Sequence, residues 1–137
     1  MGGLLRSVSM DRDDYGQFPL RRFLGMEIED IEPGQAIARL EVTESLLNPN
    51  GAVHGGVLFT MVDTAMGKAT MSVLEEGQLC ASIEVQIRFL RPVGGGRLEA
   101  DAVVIGRGRK IIHLESRVRD GGGVLVATGA GTFAVVT

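Results

Sequence analysis

The chain has 137 residues, 45% of them hydrophobic, with 14 Lys and Arg against 17 Asp and Glu, which makes one domain with a real core and argues against wholesale nucleic-acid binding. Its single cysteine, Cys80, permits no internal disulfide and fits a reducing compartment. No run has signal-peptide character or is long and uncharged enough to span a bilayer, so the expectation is a soluble cytoplasmic protein.

Residues 1–15 mix Arg, Ser and Asp without pattern and are expected to form a disordered leader, with a single domain over residues 16–137. Phe18, Leu20, Phe23 and Leu24 predict a short helix over 18–24. After Glu32-Pro33-Gly34, residues 35–43 alternate Ala36, Ala38, Leu40 and Val42 against Arg39 and Glu41, a half-buried strand. The turn-rich stretch from Asn48 to Gly56 (NPNGAVHGG) follows. From residue 57 to about 74 the chain is rich in Met, Ala and Leu and closes at Glu75-Glu76-Gly77, a helix by its length. It is apolar nearly all round, so other structure must wrap it.

Strands come next. Residues 82–89 set Ile83, Val85, Ile87 and Phe89 against Ser82, Glu84, Gln86 and Arg88, and end before Pro92 and Gly94-Gly95-Gly96. Further strands over 97–105, 111–119 and 124–135 are joined by Gly106-Arg107-Gly108-Arg109 and Asp120-Gly121-Gly122-Gly123, which suit hairpin turns. No internal repeat is present. One long helix followed by an antiparallel meander predicts an α+β architecture, a sheet curled around the helix.

Asp63 is the only Asp, Glu, Lys or Arg between Val53 and Gly67, in the middle of the apolar helix. A carboxylate there is costly unless it has partners or work to do, so Asp63 is a candidate base or nucleophile. Burial would raise its pKa and hydrogen bonds from Ser82 or Thr64 would lower it, which leaves the net direction open. The backbone N–H groups of Gly55 and Gly56 lack partners within a helix starting there and lie at its positive end, where they can hold a developing negative charge. A plain Gly-Gly helix entry is the alternative. If the helix begins at Gly55, Asp63 lies eight residues on, ~12 Å along the axis at ~1.5 Å per residue. Both must approach one reacting group within about 3 Å. One chain does not readily supply both, so the site is expected to be shared between two subunits.

The remaining candidates have bland readings beside the sharp ones. Asn48 can donate a side-chain amide hydrogen bond or simply form a turn before Pro49. His54 can polarise a carbonyl or brace the loop. Arg88, Arg91, Arg107, Arg109 and Lys110 can bind phosphate, or be solvated charges. Met61, Met66 and Met71 can line an adaptable tunnel, with core packing the better reading. His54, His113 and Cys80 make no metal-ligand spacing, and neither glycine triplet sits between a strand and a helix as a phosphate loop does. No metal and no cofactor are expected, and Cys80 is read as an inert thiol.

Taken together, Asn48, His54-Gly55-Gly56, Asp63-Thr64-Ala65, Ser82-Ile83-Glu84 and Phe89-Leu90-Arg91-Pro92 resemble the hot-dog-fold acyl-CoA thioesterases of the phenylacetate-pathway type, over residues 18–137. The resemblance implies hydrolysis of an acyl- or aryl-acyl-CoA. It casts Asp63 as general base or nucleophile, Gly55 as oxyanion donor, and Asn48, His54 and Ser82 beside the thioester and its water. Gly56 and the five cations fall on the substrate side. It also implies sites at a homodimer interface, with dimers pairing into tetramers. Two alternatives remain. A non-catalytic acyl-CoA-binding module is disfavoured by Asp63, and a hydratase by the missing aspartate-histidine helix pattern.

Overall fold

The computed structural model describes residues 18–136; the leader expected over residues 1–15 lies outside them. A short helix α1 (Pro19–Leu24) leads into strands β1 (Glu27–Glu32) and β2 (Gln35–Val42) and a 3-10 turn at Glu44–Leu46. The long helix α2 (Gly55–Met71) precedes β3 (Leu79–Phe89), β4 (Gly96–Arg107), β5 (Ile111–Asp120) and β6 (Leu125–Val136). The strands form one antiparallel sheet in the order β1-β2-β4-β5-β6-β3, and α2 packs along its inner face. This is the expected α+β plan, with two corrections to its details.

First, β1 was not foreseen, because Glu-Ile-Glu-Asp-Ile-Glu carries charge on both phases and only Ile28 is half-buried. Second, the strands after α2 are not one continuous meander. β4, β5 and β6 are hairpin neighbours, but β3 pairs with β6 at the far edge. The connection over residues 90–95 makes the crossing. Leu90 and Arg91 donate their N–H groups to the Val126 carbonyl, and Val93 accepts from the Val53 N–H, so the chain is led across the end of the sheet beside the start of α2. Pro92 and the glycines suit a connection that cannot continue a ladder.

The core lies between α2 and a sheet floor of small residues. Ala36 and Ala38 of β2, Ala100 and Ala102 of β4 and Ala127 of β6 are fully buried, as are Met61, Val62, Ala65, Met66 and Ala69 on the helix. At the β6 end the approach is too close for any side chain: a Cβ on Gly129 would lie 2.8 Å from Val62 Cγ1, and one on Gly131 would lie 2.5 Å from Met66 Sδ. All three helix methionines are buried, so they are core rather than tunnel lining. The opposite face of the sheet is polar, with Arg39 paired to Glu29 and Glu99 across three strands.

Val62 is β-branched and stiff, so it cannot easily withdraw from a new methyl group. Gly129→Ala is expected to cost about 1–3 kcal/mol of stability in urea denaturation. Adding Val62→Ala should recover part of that loss. Additive losses in the double variant would contradict this packing.

Candidate active site

His54 caps the start of α2, its Nδ1 accepting the Gly56 N–H at 2.8 Å. Bracing is therefore the role the geometry gives this side chain, and a neutral ring with Nδ1 as acceptor carries its proton on Nε2. The same bond occupies one of the two glycine donors. The Gly55 N–H has no acceptor among the described residues and points out of the positive end of the helix. The Phe89 ring lies directly against Gly55: a Cβ there would meet Phe89 Cζ at 2.9 Å.

The loop before the helix is tied by Asn48. Its Oδ1 accepts from the Asn50 N–H at 2.9 Å and the Ala52 N–H at 3.1 Å, while its own N–H donates to the Ala52 carbonyl. The turn-forming reading thus holds for Oδ1. The side-chain NH₂ takes part in neither bond and is a remaining donor.

Gly56, Phe59, Thr60 and Asp63 are less buried than their neighbours in the first two turns of α2, and their i, i+3, i+4, i+7 spacing puts them on one stripe. Asp63 Oδ1 is nonetheless buried without a hydrogen-bond partner. Burial pushes the carboxyl above the ordinary aspartate range, and the Ser82 hydroxyl pulls the other way without cancelling it.

Ser82 reaches Asp63 through a β-bulge. Phe133 pairs with Ser82 and Thr132 with Glu84, leaving Ile83 unpaired and 59% exposed. Plain alternation puts Ser82 on the side of Glu84; the bulge turns it to the helix side with Val85 and Ile87.

The cations do not form a single patch within one chain. Arg88 pairs with Thr128 and belongs to the phase facing away from α2, and Arg91 follows near the helix start. Arg107 lies beyond the other end of α2 and donates to the Val73 carbonyl at 2.6 Å, with Arg109 and Lys110 exposed in the adjoining turn. Cys80 Sγ lies 3.8 Å from the Gly67 carbonyl oxygen, against the helix. Among the described residues, no three His, Cys, Asp or Glu side chains converge as a metal site.

Two features of the site escaped the sequence. The phase of Ser82 depends on a bulge that leaves no local signal. The Phe89 contact with Gly55 joins segments 34 residues apart, and its only trace is that Phe89 shares the inward phase of Val85 and Ile87.

One long helix laid along a six-stranded antiparallel sheet is the hot-dog fold. The family model described as the thioesterase superfamily matches residues 50–127, and the chain belongs to that family. The sequence is 29% identical over 101 residues to a 1,4-dihydroxy-2-naphthoyl-CoA hydrolase of Listeria monocytogenes, covering 74% of this chain and 82% of that protein. Among solved structures, a thioesterase of Haemophilus influenzae superposes with a TM-score of 0.85 at 25% identity, covering 95% of this chain and 93% of that one. The Escherichia coli PaaI protein of the phenylacetic acid degradation operon superposes with a TM-score of 0.84 at 28% identity, covering 91% and 89%. The chain is a thioesterase of PaaI type, and its reaction is thioester hydrolysis.

A carboxyl whose pKa is raised in the folded state binds its proton more tightly there than in the unfolded chain. Its ionisation therefore weakens the fold as pH rises from the unfolded value, about 3.9, through the folded one. Asp63→Asn removes that loss. The variant should melt above the wild type at pH 7, with the gap closing as pH falls toward about 4. Thermal unfolding across a pH series would show this; a gap that does not change with pH would contradict a desolvated Asp63.

Proposed function

We propose that the chain hydrolyses an acyl-CoA or aryl-acyl-CoA to the free acid and CoA at a site shared between two copies. The observation that carries the chemistry is the Asp63 carboxyl, with one oxygen buried and unpartnered beside the Ser82 hydroxyl. Acting as base, Asp63 takes a proton from water, and the resulting hydroxide attacks the thioester carbonyl. The tetrahedral oxyanion is held by the Gly55 N–H. Collapse breaks the C–S bond and the departing thiolate takes up the proton. Acting instead as nucleophile, the carboxylate attacks the carbonyl and breaks the C–S bond, forming a mixed anhydride and the CoA thiolate; water then opens the anhydride to the free acid and the Asp63 carboxylate, and the thiolate takes up the proton.

Asn48 offers its side-chain NH₂ to the thioester carbonyl, Ser82 orients the water or the acid, and His54 holds the first turn with Nε2–H left to donate. Gly56 leaves the approach to Gly55 open. Arg88, Arg91, Arg107, Arg109 and Lys110 are the cations for CoA phosphates, those near the helix start from one copy and those of the basic turn from the other. The cytoplasmic assignment rests on the lone Cys80; no helix of the described residues is long and apolar enough to cross a membrane.

Three features support a shared site. Gly55 and Asp63 are eight residues apart on one helix, ~12 Å at ~1.5 Å per residue. Among the described residues, β3 is an edge strand of 11 residues with no neighbour on its outer side. The sheet's other edge, β1, carries Glu27, Glu29, Asp30 and Glu32, the kind of charge that discourages pairing. β3 is less charged, with Glu84 and Arg88 alone among its 11 residues, and Ile83, Phe89 and Leu90 are exposed there. A second copy paired antiparallel along β3 would bring Gly55 of one helix toward Asp63 of the other. Pairing of such dimers through the polar outer faces of their sheets would make the tetramer.

Asp63→Asn is expected to lower turnover by at least about a hundredfold on the best acyl-CoA while substrate still binds. The acid limb of the wild-type rate should lie above the ordinary aspartate range, because the base acts only when ionised. A variant with near-wild-type turnover would remove Asp63 from the mechanism.

The shared site has its own test. An inactive Asp63→Asn chain mixed with an inactive chain carrying a bulky residue at Gly55 should regain activity, since one of the two sites in each hybrid keeps both native groups. Verified hybrids that stay inactive, from parents that fold and associate, would contradict it.

A further inference from the structure

We propose that Phe89 is a positioning residue for the oxyanion donor: its ring shields the Gly55 N–H from water and fixes the first turn of α2. This rests on the thioesterase site proposed above. Three ring atoms meet the position of a Gly55 Cβ, Cζ at 2.9 Å, Cε1 at 3.3 Å and Cε2 at 3.5 Å, so the tip of the ring is driven against the backbone. Gly55 is not among the positive-φ glycines. Its lack of a side chain leaves the space that the ring takes, and the backbone angle does not call for it. Core packing within one chain covers only part of the ring, which remains 53% exposed beside the edge proposed to meet a second copy. Its place is nonetheless fixed: Phe89 pairs with Ala127, and the next N–H, of Leu90, is bonded to the Val126 carbonyl at 2.9 Å.

The chemical consequence follows from the donor's situation. The Gly56 N–H is held by His54, so Gly55 supplies the one free donor of that pair. Water beside that N–H would compete for it and screen the oxyanion. An apolar ring against the Cα side of Gly55 lowers the local dielectric and leaves the donor itself open to the charge that develops. Phe89 touches the donor's own residue and acts through Gly55.

Two measurements test this on the full chain. Gly55 amide hydrogen exchange, followed by NMR, should be about tenfold faster in Phe89→Ala than in the wild type, with Phe89→Leu between them. Turnover should fall about tenfold in Phe89→Ala with KM changed less than about threefold, since the donor matters most in the transition state, and Phe89→Leu should recover most of it. Phe89→Val, which suits a strand but withdraws the ring, replaces the alanine variant should that one not fold. Unchanged Gly55 exchange would overturn the shielding, and unchanged turnover alongside faster exchange would overturn the positioning role. If the wild type hydrolyses no acyl-CoA, the substrate reading fails instead, and exchange still judges the shield.

Discussion

The close seating of α2 on a floor of alanines and glycines is the constraint on which the rest depends. A helix apolar on nearly every side has no stable exposed state, and only a curled sheet can wrap it. Ala36, Ala38, Ala100, Ala102, Ala127, Gly129 and Gly131 let the sheet come close enough, and Ala65 and Ala69 answer from the helix. Large residues on that floor would lift the helix. They would also loosen the turn that carries Asp63, and with it the desolvation that raises this carboxyl's pKa.

Desolvation alone would make Asp63 a defect. The proposed function gives it a use, because its stripe of α2, running from Gly56 to Asp63, is the side the chain leaves least covered. The same helix presents a free N–H at its positive end and a reluctant carboxylate two turns on, and the backbone between them is rigid. That rigidity positions each group well and keeps them from meeting. The less charged β3 edge and the acidic β1 edge opposite are consistent with completion by a second copy along β3, and not along β1.

Much of this was legible in the amino-acid order, for identifiable reasons. β2, β4, β5 and β6 each bury one face and so alternate in the sequence, and the long apolar run could only be a wrapped helix. β1 was hidden because its neighbours cover so little of it that Glu27, Glu29, Asp30 and Glu32 need not alternate. The partner of β3 was hidden because strand order is decided by the crossing at residues 90–95, which composition does not reveal. In the candidate site, residue types and spacing single out Asp63 and the glycine pair, whose roles belong to the proposed function. The direction of the Asp63 pKa, the cap made by His54, and the division of the cations between two ends of the sheet are tertiary facts.

Ser116 shows that an orphaned polar atom does not by itself mark a site. Its hydroxyl is as buried and unpartnered as Asp63 Oδ1. It sits on the floor between Ala102 and Gly129, with no donor or acceptor converging on it, and nothing in the structure explains its retention over alanine. A neutral hydroxyl left unpaired costs about 1–3 kcal/mol and has no charge to move. Asp63 differs in three respects that together constitute a functional reading. It can ionise, it lies on an accessible stripe of the helix, and a second polar group, Ser82, is turned toward it by a bulge that plain strand geometry would not produce. Burial raises the question of function; a second polar group turned toward the same carboxyl is what supports a proposal.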